Sequence, residues 1–182
     1  MSDDKYKKII ENIIYSDDTF AKVGLARNCN ADEEILKRLM DENFDNAHIT
    51  TSIAEGCAAN PDILIKLMSS HDFKTRAAAT RYCDGNTDVL NIAVTDEHPL
   101  VRQWAAQCCN GNINVLNALK GDNTQRVKVA VAKSCNGDKE ILQQLYDDAT
   151  KKDDVKPQLL KVVKKEMKAY NITPSHSQPE RD

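Results

Sequence analysis

The chain has 182 residues and a formal net charge of −3, with 41% hydrophobic but only 5% aromatic residues. That suffices for one domain, and the slightly acidic balance counts against a nucleic-acid binder, which is usually basic. No apolar run approaches the ~20 residues needed to span a membrane. The opening Met-Ser-Asp-Asp-Lys-Tyr-Lys-Lys is too polar for a secretion signal, and six cysteines without one imply a reducing compartment, so a cytoplasmic location is expected.

Residues 5–16 predict a first helix, with Ile9, Ile10 and Ile13 on its buried side and Lys5, Lys7 and Lys8 outside. It matches half of a unit that then recurs five times. The copies begin at Leu25, Ile53, Ala79, Ala105 and Val131, offset by 28, 26, 26 and 26 residues. A fixed period of this size is the signature of a solenoid whose units bury their apolar faces only by stacking. First helices are predicted over about 18–28, 46–57, 73–83, 99–109 and 125–135.

Each copy then turns and starts a second helix. Cys29, Cys57, Cys83, Cys109 and Cys135 form one column. Asp32, Asn60, Asn86, Asn112 and Asp138 form another, and all are good N-caps. Gly85, Gly111 and Gly137 precede three of these caps, where the chain leaves the first helix with positive φ. The second helix carries an apolar stripe at i, i+1 and i+4: Ile35, Leu36 and Leu39 in the first copy, Ile141, Leu142 and Leu145 in the last. Two extra residues in Asp41–Asn46 predict a bulging loop after the first copy.

Beyond Tyr146 the register fails. A charged connector leads to a closing helix over about 155–170, striped by Val155, Leu159, Val162, Val163, Met167 and Tyr170. The expectation is therefore an all-α chain: an α-solenoid domain over 1–170 with an N-terminal half-repeat cap and a C-terminal capping helix. Residues 171–182 lack periodicity and read as a disordered tail.

Asp96-Glu-His-Pro-Leu-Val-Arg-Gln-Trp-Ala-Ala106 resembles the start of a HEAT repeat, and Asn60-Pro-Asp-Ile-Leu-Ile-Lys-Leu67 resembles the leucine-rich repeat variant family. The likeness covers about residues 5–146. It implies a right-handed superhelix, in the variant family alternating α with 3₁₀ helices. It specifies fold and hardly function. The cysteine cluster that holds an iron–sulphur centre in one branch of that family has no counterpart, since only Cys29 precedes Cys57.

No cofactor or metal is expected. Cysteines one repeat apart sit roughly 8–10 Å from each other, while zinc–sulphur bonds are near 2.3 Å, so adjacent rungs cannot share an ion. No two of His48, His71, His98 and His176 have ligand spacing. Trp104 reads as packing between repeats. No glycine-rich phosphate loop, nucleophile constellation or carboxylate pair is present, so the chain reads as a non-enzyme.

The reading is a scaffold, adaptor or inhibitor that binds another protein. In HEAT-like solenoids the second helix lines the concave side. Its positions left over from the core are Lys37 and Arg38, Ile65 and Lys66, Asn91 and Ile92, Asn117, and Gln143. The alternative is nucleic-acid binding through the column Arg76, Arg102 and Lys128, a column that equally fits a structural ladder to acidic turns. A HEAT-like DNA-repair glycosylase is the weaker third.

Overall fold

The computed structural model describes residues 3–151 and 154–175. Among them are twelve α-helices and no strand or 3₁₀ helix. They divide into two units, residues 1–93 and 94–182. The first unit holds α1 (Asp3–Ile14), α2 (Thr19–Asn28), α3 (Glu33–Asn43), α4 (Ala47–Gly56), α5 (Pro61–Met68), α6 (Phe73–Arg81) and α7 (Thr87–Ala93). The second holds α8 (Pro99–Cys108), α9 (Ile113–Leu119), α10 (Gln125–Ser134), α11 (Lys139–Ala149) and α12 (Pro157–Ala169). The fold is all-α, and the first helices are α-helical rather than the 3₁₀ helices that the leucine-rich repeat variant likeness implied.

The turn inside each pair is built from the cysteine outward. Two residues follow it in left-handed conformation: Asn30 and Ala31, Ala58 and Ala59, Asp84 and Gly85, Asn110 and Gly111, Asn136 and Gly137. The chain thereby reverses, and the next backbone N–H donates back to the cysteine carbonyl at 2.9–3.1 Å, from Asp32, Asn60, Asn86, Asn112 and Asp138. The side chains of these same residues accept from the first-turn N–H groups of Ile35, Ile63, Val89, Asn114 and Ile141 at 3.1, 3.2, 3.1, 3.0 and 2.9 Å. Each therefore satisfies an otherwise orphaned donor.

Cysteine suits its column because it is small and carries a weak donor. Cys29, Cys57, Cys109 and Cys135 direct Sγ to the carbonyls of Ala26, Ala54, Ala106 and Ala132 at 3.5, 3.3, 3.2 and 3.3 Å, covering the last turn of the helix they end. All five column cysteines are buried and all six cysteines are thiols. Burial pushes the Cys57, Cys83 and Cys135 thiols above their ordinary pKa.

In the first unit, α2 packs on α4 and α4 on α6. The α2–α4 approach needs Gly56, where an added Cβ would lie 1.9 Å from the Ala26 carbonyl oxygen. Behind them the stripes of α3, α5 and α7 are buried: Leu36, Leu39, Leu64, Leu67 and Leu90 are inaccessible. Each such side chain contributes roughly 1.5–3 kcal/mol. In the second unit α8 packs on α10, and α12 covers both α10 and α11 through Leu159, Val163 and Met167. Val155 and Tyr170, expected on that stripe, are exposed.

Three sequence expectations need correction. In α1 the buried pair is Ile10 and Ile14, while Ile9 is exposed, because the flank of α1 that meets α2 and α3 is the one carrying Ile10 and Ile14. The extra residues after the first copy do not bulge. They continue α3 to Asn43, whose side-chain amide donates to the Leu39 carbonyl at 2.8 Å. Of the tail, residues 171–175 have a defined path: Asn171 takes φ 54° and Ile172 N–H donates to the Met167 carbonyl at 2.8 Å, closing α12 with a Schellman turn. Residues 176–182 lie outside the described residues.

Candidate functional site

The outer positions of the second helices are exposed because the i, i+1, i+4 stripe faces inward. In the first unit Lys37 pairs with Glu33 one turn earlier on α3. Arg38 makes a bidentate pair with Glu11 of α1, with both distances 2.6 Å, and lies over the Tyr15 ring at 5.9 Å. The Arg38 hydrogen bonds hold the Glu11 carboxyl below its usual pKa. Lys66 on α5 pairs with Asp41 of α3. These cations are thus neutralised by carboxylates of the same helix or of the helix two before it. Beside them Ile65 is 37% and Ile92 41% exposed, and Asn91 is exposed.

In the second unit Asn117 on α9 is exposed and Gln143 on α11 is half-buried. Lys120, just past α9, reaches Glu140 of α11 at 3.4 Å, which ties the two helices together. Gln143 Nε2 donates to Asp147 Oδ1 at 2.8 Å, so its Oε1 is turned outward as an acceptor. There it accepts the backbone N–H of Ser175 at 2.9 Å, with Nε2 lying 3.5 Å from the Ser175 carbonyl oxygen. Sequence reasoning missed this contact, since a stretch without periodicity gives no pairing signal.

The basic column turns inward. Arg76 is 7% and Lys128 8% exposed. Arg76 Nη1 donates to the carbonyls of Ser70 and His71 at 2.9 and 3.1 Å. Arg102 donates through Nε to Asp122 at 2.6 Å and through Nη1 to the Asp96 carbonyl at 2.7 Å. Lys128 reaches Asp148 at 2.6 Å, where Lys156 also binds at 3.0 Å. Lys22, in the same register, reaches Asn43 at 2.8 Å. Each cation meets an acceptor in a turn or a helix end, which leaves little of it for phosphate. Burial opposes ionisation of Asp148, but its hydrogen bonds from Lys128, Lys156 and Lys151 outweigh this and hold the carboxyl well below the usual range. Asp122 is lowered in the same way by Arg102 and the Thr124 backbone.

His98 caps α8, its Nδ1 accepting the Leu100 N–H at 3.2 Å. Among the described residues no group of three or more His, Cys, Asp and Glu side chains could hold a metal ion, and no helix is long and apolar enough to cross a membrane. A polar cavity of about 470 Å³ between α8, α10 and α12 is lined by Gln103, Gln107, Gln125, Arg126, Lys133 and Gln158. The buried Gln125 Nε2 makes no hydrogen bond among the described residues. The chain matches no family model, no curated protein and no solved structure.

Proposed function

We propose that the chain is an α-solenoid scaffold or adaptor of the HEAT-like kind that binds a partner protein through the outer face of its second helices. One observation carries this reading. On α5 and α7, Ile65 and Ile92 are partly exposed beside Asn91, while Lys37, Arg38 and Lys66 are paired within the fold. A face with apolar residues, neutralised charges and exposed amides suits protein contact. It suits phosphate poorly, because phosphate recognition wants uncommitted Arg or Lys. The repeated helix pairs support the solenoid arrangement, since units of this kind bury their stripes by stacking.

The test is a pull-down with Ile65→Arg combined with Ile92→Arg. Both positions are exposed, so helicity and melting temperature stay close to native while the partner is lost. Retention of the partner by this folded variant refutes the assignment. Exposed Lys161, Lys164, Lys165 and Lys168 on α12 favour a second reading, nucleic-acid binding. Retention on heparin that weakens steeply with salt, and that Lys-to-Glu changes on α12 abolish, would mark it.

A further inference from the structure

We infer that the second-unit part of this face binds an extended peptide through its main chain, using the side-chain amides of Gln143 and Asn117. The chain's own segment 172–175 occupies the Gln143 end. The inference rests on the protein-binding reading above and gives its chemistry.

A primary amide offers one acceptor and two donors in a plane, and so matches the N–H and C=O of one peptide residue. Gln143 meets Ser175 in this way: the Ser175 N–H donates to Oε1 at 2.9 Å, and the Ser175 carbonyl stands 3.5 Å from Nε2. Asp147 takes the other Nε2 hydrogen at 2.8 Å and so fixes which end of the amide faces outward. The clamp is therefore oriented before a peptide arrives. Neither bond involves the serine side chain, so the recognition is of backbone.

One repeat earlier Asn117 holds the equivalent position, exposed, on a helix tied to α11 by Lys120 and Glu140. An extended peptide that leaves Gln143 toward α9 meets the Asn117 amide, exposed at the equivalent place of the preceding repeat. Pro174 holds the residue before it extended, and a proline-containing strand loses less freedom on binding. The fitting partner is an extended, proline-containing segment with small polar residues. In the free protein the 172–175 segment competes with it as a tethered ligand.

The experiment uses the full chain labelled with nitrogen-15, titrated with a synthetic peptide of the sequence of residues 171–177 and followed by NMR at the backbone amides of α9 and α11 and, where present, at the Gln143 side-chain amide. Ser175→Pro in the full chain removes the tethered N–H without touching any helix. The expected result is saturable binding to Ser175→Pro at least roughly threefold tighter than to the native chain, where the tether competes at high effective concentration. Adding Gln143→Ala removes that binding with the melting temperature unchanged. A peptide N-methylated at the serine fails to bind, and one with alanine in place of that serine still binds. Equal affinity for the native and Ser175→Pro chains, binding that survives Gln143→Ala, or indifference to N-methylation overturns the clamp. If the clamp fails while Ile65→Arg with Ile92→Arg still loses a partner, the protein-binding face stands and only its peptide chemistry falls. If that pull-down also keeps its partner, both fall.

Discussion

The two units carry the same repeat, yet its stress points are solved with different residues. In the second unit both turns use glycine as the second left-handed residue, Gly111 and Gly137. In the first unit Gly85 does the same at the third turn, but Ala31 and Ala59 stand at the first two, at φ 58° and 61°. The first unit also has a glycine three residues before Ala59, at Gly56, where α4 meets the α2 backbone. The rungs differ as well. Those at Arg102 and Lys128 end on carboxylates, whereas Lys22 ends on the amide Asn43 and the position one repeat later is Thr50, bonded to Thr75 at 2.7 Å. A repeat thus constrains shape more tightly than chemistry: any residue that meets the local steric or hydrogen-bonding demand will serve.

The strongest way to break the comparison is Gly56→Ala. Its methyl group meets backbone rather than a side chain that could rotate away, so α2 and α4 must separate. A loss of about 3 kcal/mol in denaturant unfolding is expected. Gly137→Ala is next, at about 2 kcal/mol, because it forces a non-glycine residue into positive φ and its Cβ would lie 2.4 Å from the Tyr170 ring. Removing the ring as well, with Tyr170→Ala, should restore part of that loss and leave the backbone component of about 1 kcal/mol. A double-mutant cycle by urea midpoint measures the split.

Acid separates the units by their rungs. Asp122 and Asp148 have folded pKa values below the unfolded value of about 3.9. Their stabilisation is therefore present above about pH 4 and lost as the pH falls through the lower folded values. The Lys22–Asn43 and Thr50–Thr75 rungs carry no such dependence. Hydrogen exchange across pH 5 to 2 should show α8–α12 losing protection before α2–α6. Equal loss would mean that the charged rungs contribute nothing special.

Smaller effects follow from the caps and the alanine turns. Asn112→Ala should cost about 1 kcal/mol in urea unfolding through the lost bond to the Asn114 N–H. Ala59→Gly should stabilise by about 0.5 kcal/mol, as relief of left-handed strain exceeds the added freedom of the unfolded chain. A fall in urea midpoint with Ala59→Gly would show that the alanine turn is unstrained.

Much of this was legible in the sequence, and the reasons are local. A short polar residue three before an Ile/Val column fixes a helix start, so all five N-caps stand where their spacing placed them. Proline at Pro61 and Pro99 marks helix entries for the same kind of reason. What escaped needed knowledge of a neighbour. Whether two extra residues bulge or extend a helix depended on Asn43 finding both the Leu39 carbonyl and Lys22. The inward turn of the basic column was legible in part: Asp122 and Asp148 stand one repeat apart, as a ladder to acidic turns asks, but the Ser70 and His71 carbonyls that hold Arg76 leave no mark in the side-chain pattern. Of the proposed face, Ile65 and Ile92 were visible as apolar residues off the stripe. The seat of Ser175 on Gln143 was not, because a single backbone contact leaves no mark in composition or period.

The cysteine column also gives this molecule a built-in counter of opening events. Each turn shuts away one thiol, and that thiol reacts only when its own helix pair parts from its neighbours. Under slow alkylation the masses that appear would record how many repeats had opened together. Fraying from an end adds labels one at a time, whereas concerted unfolding of a unit adds them as a block, with the half-buried Cys108 labelled ahead of both.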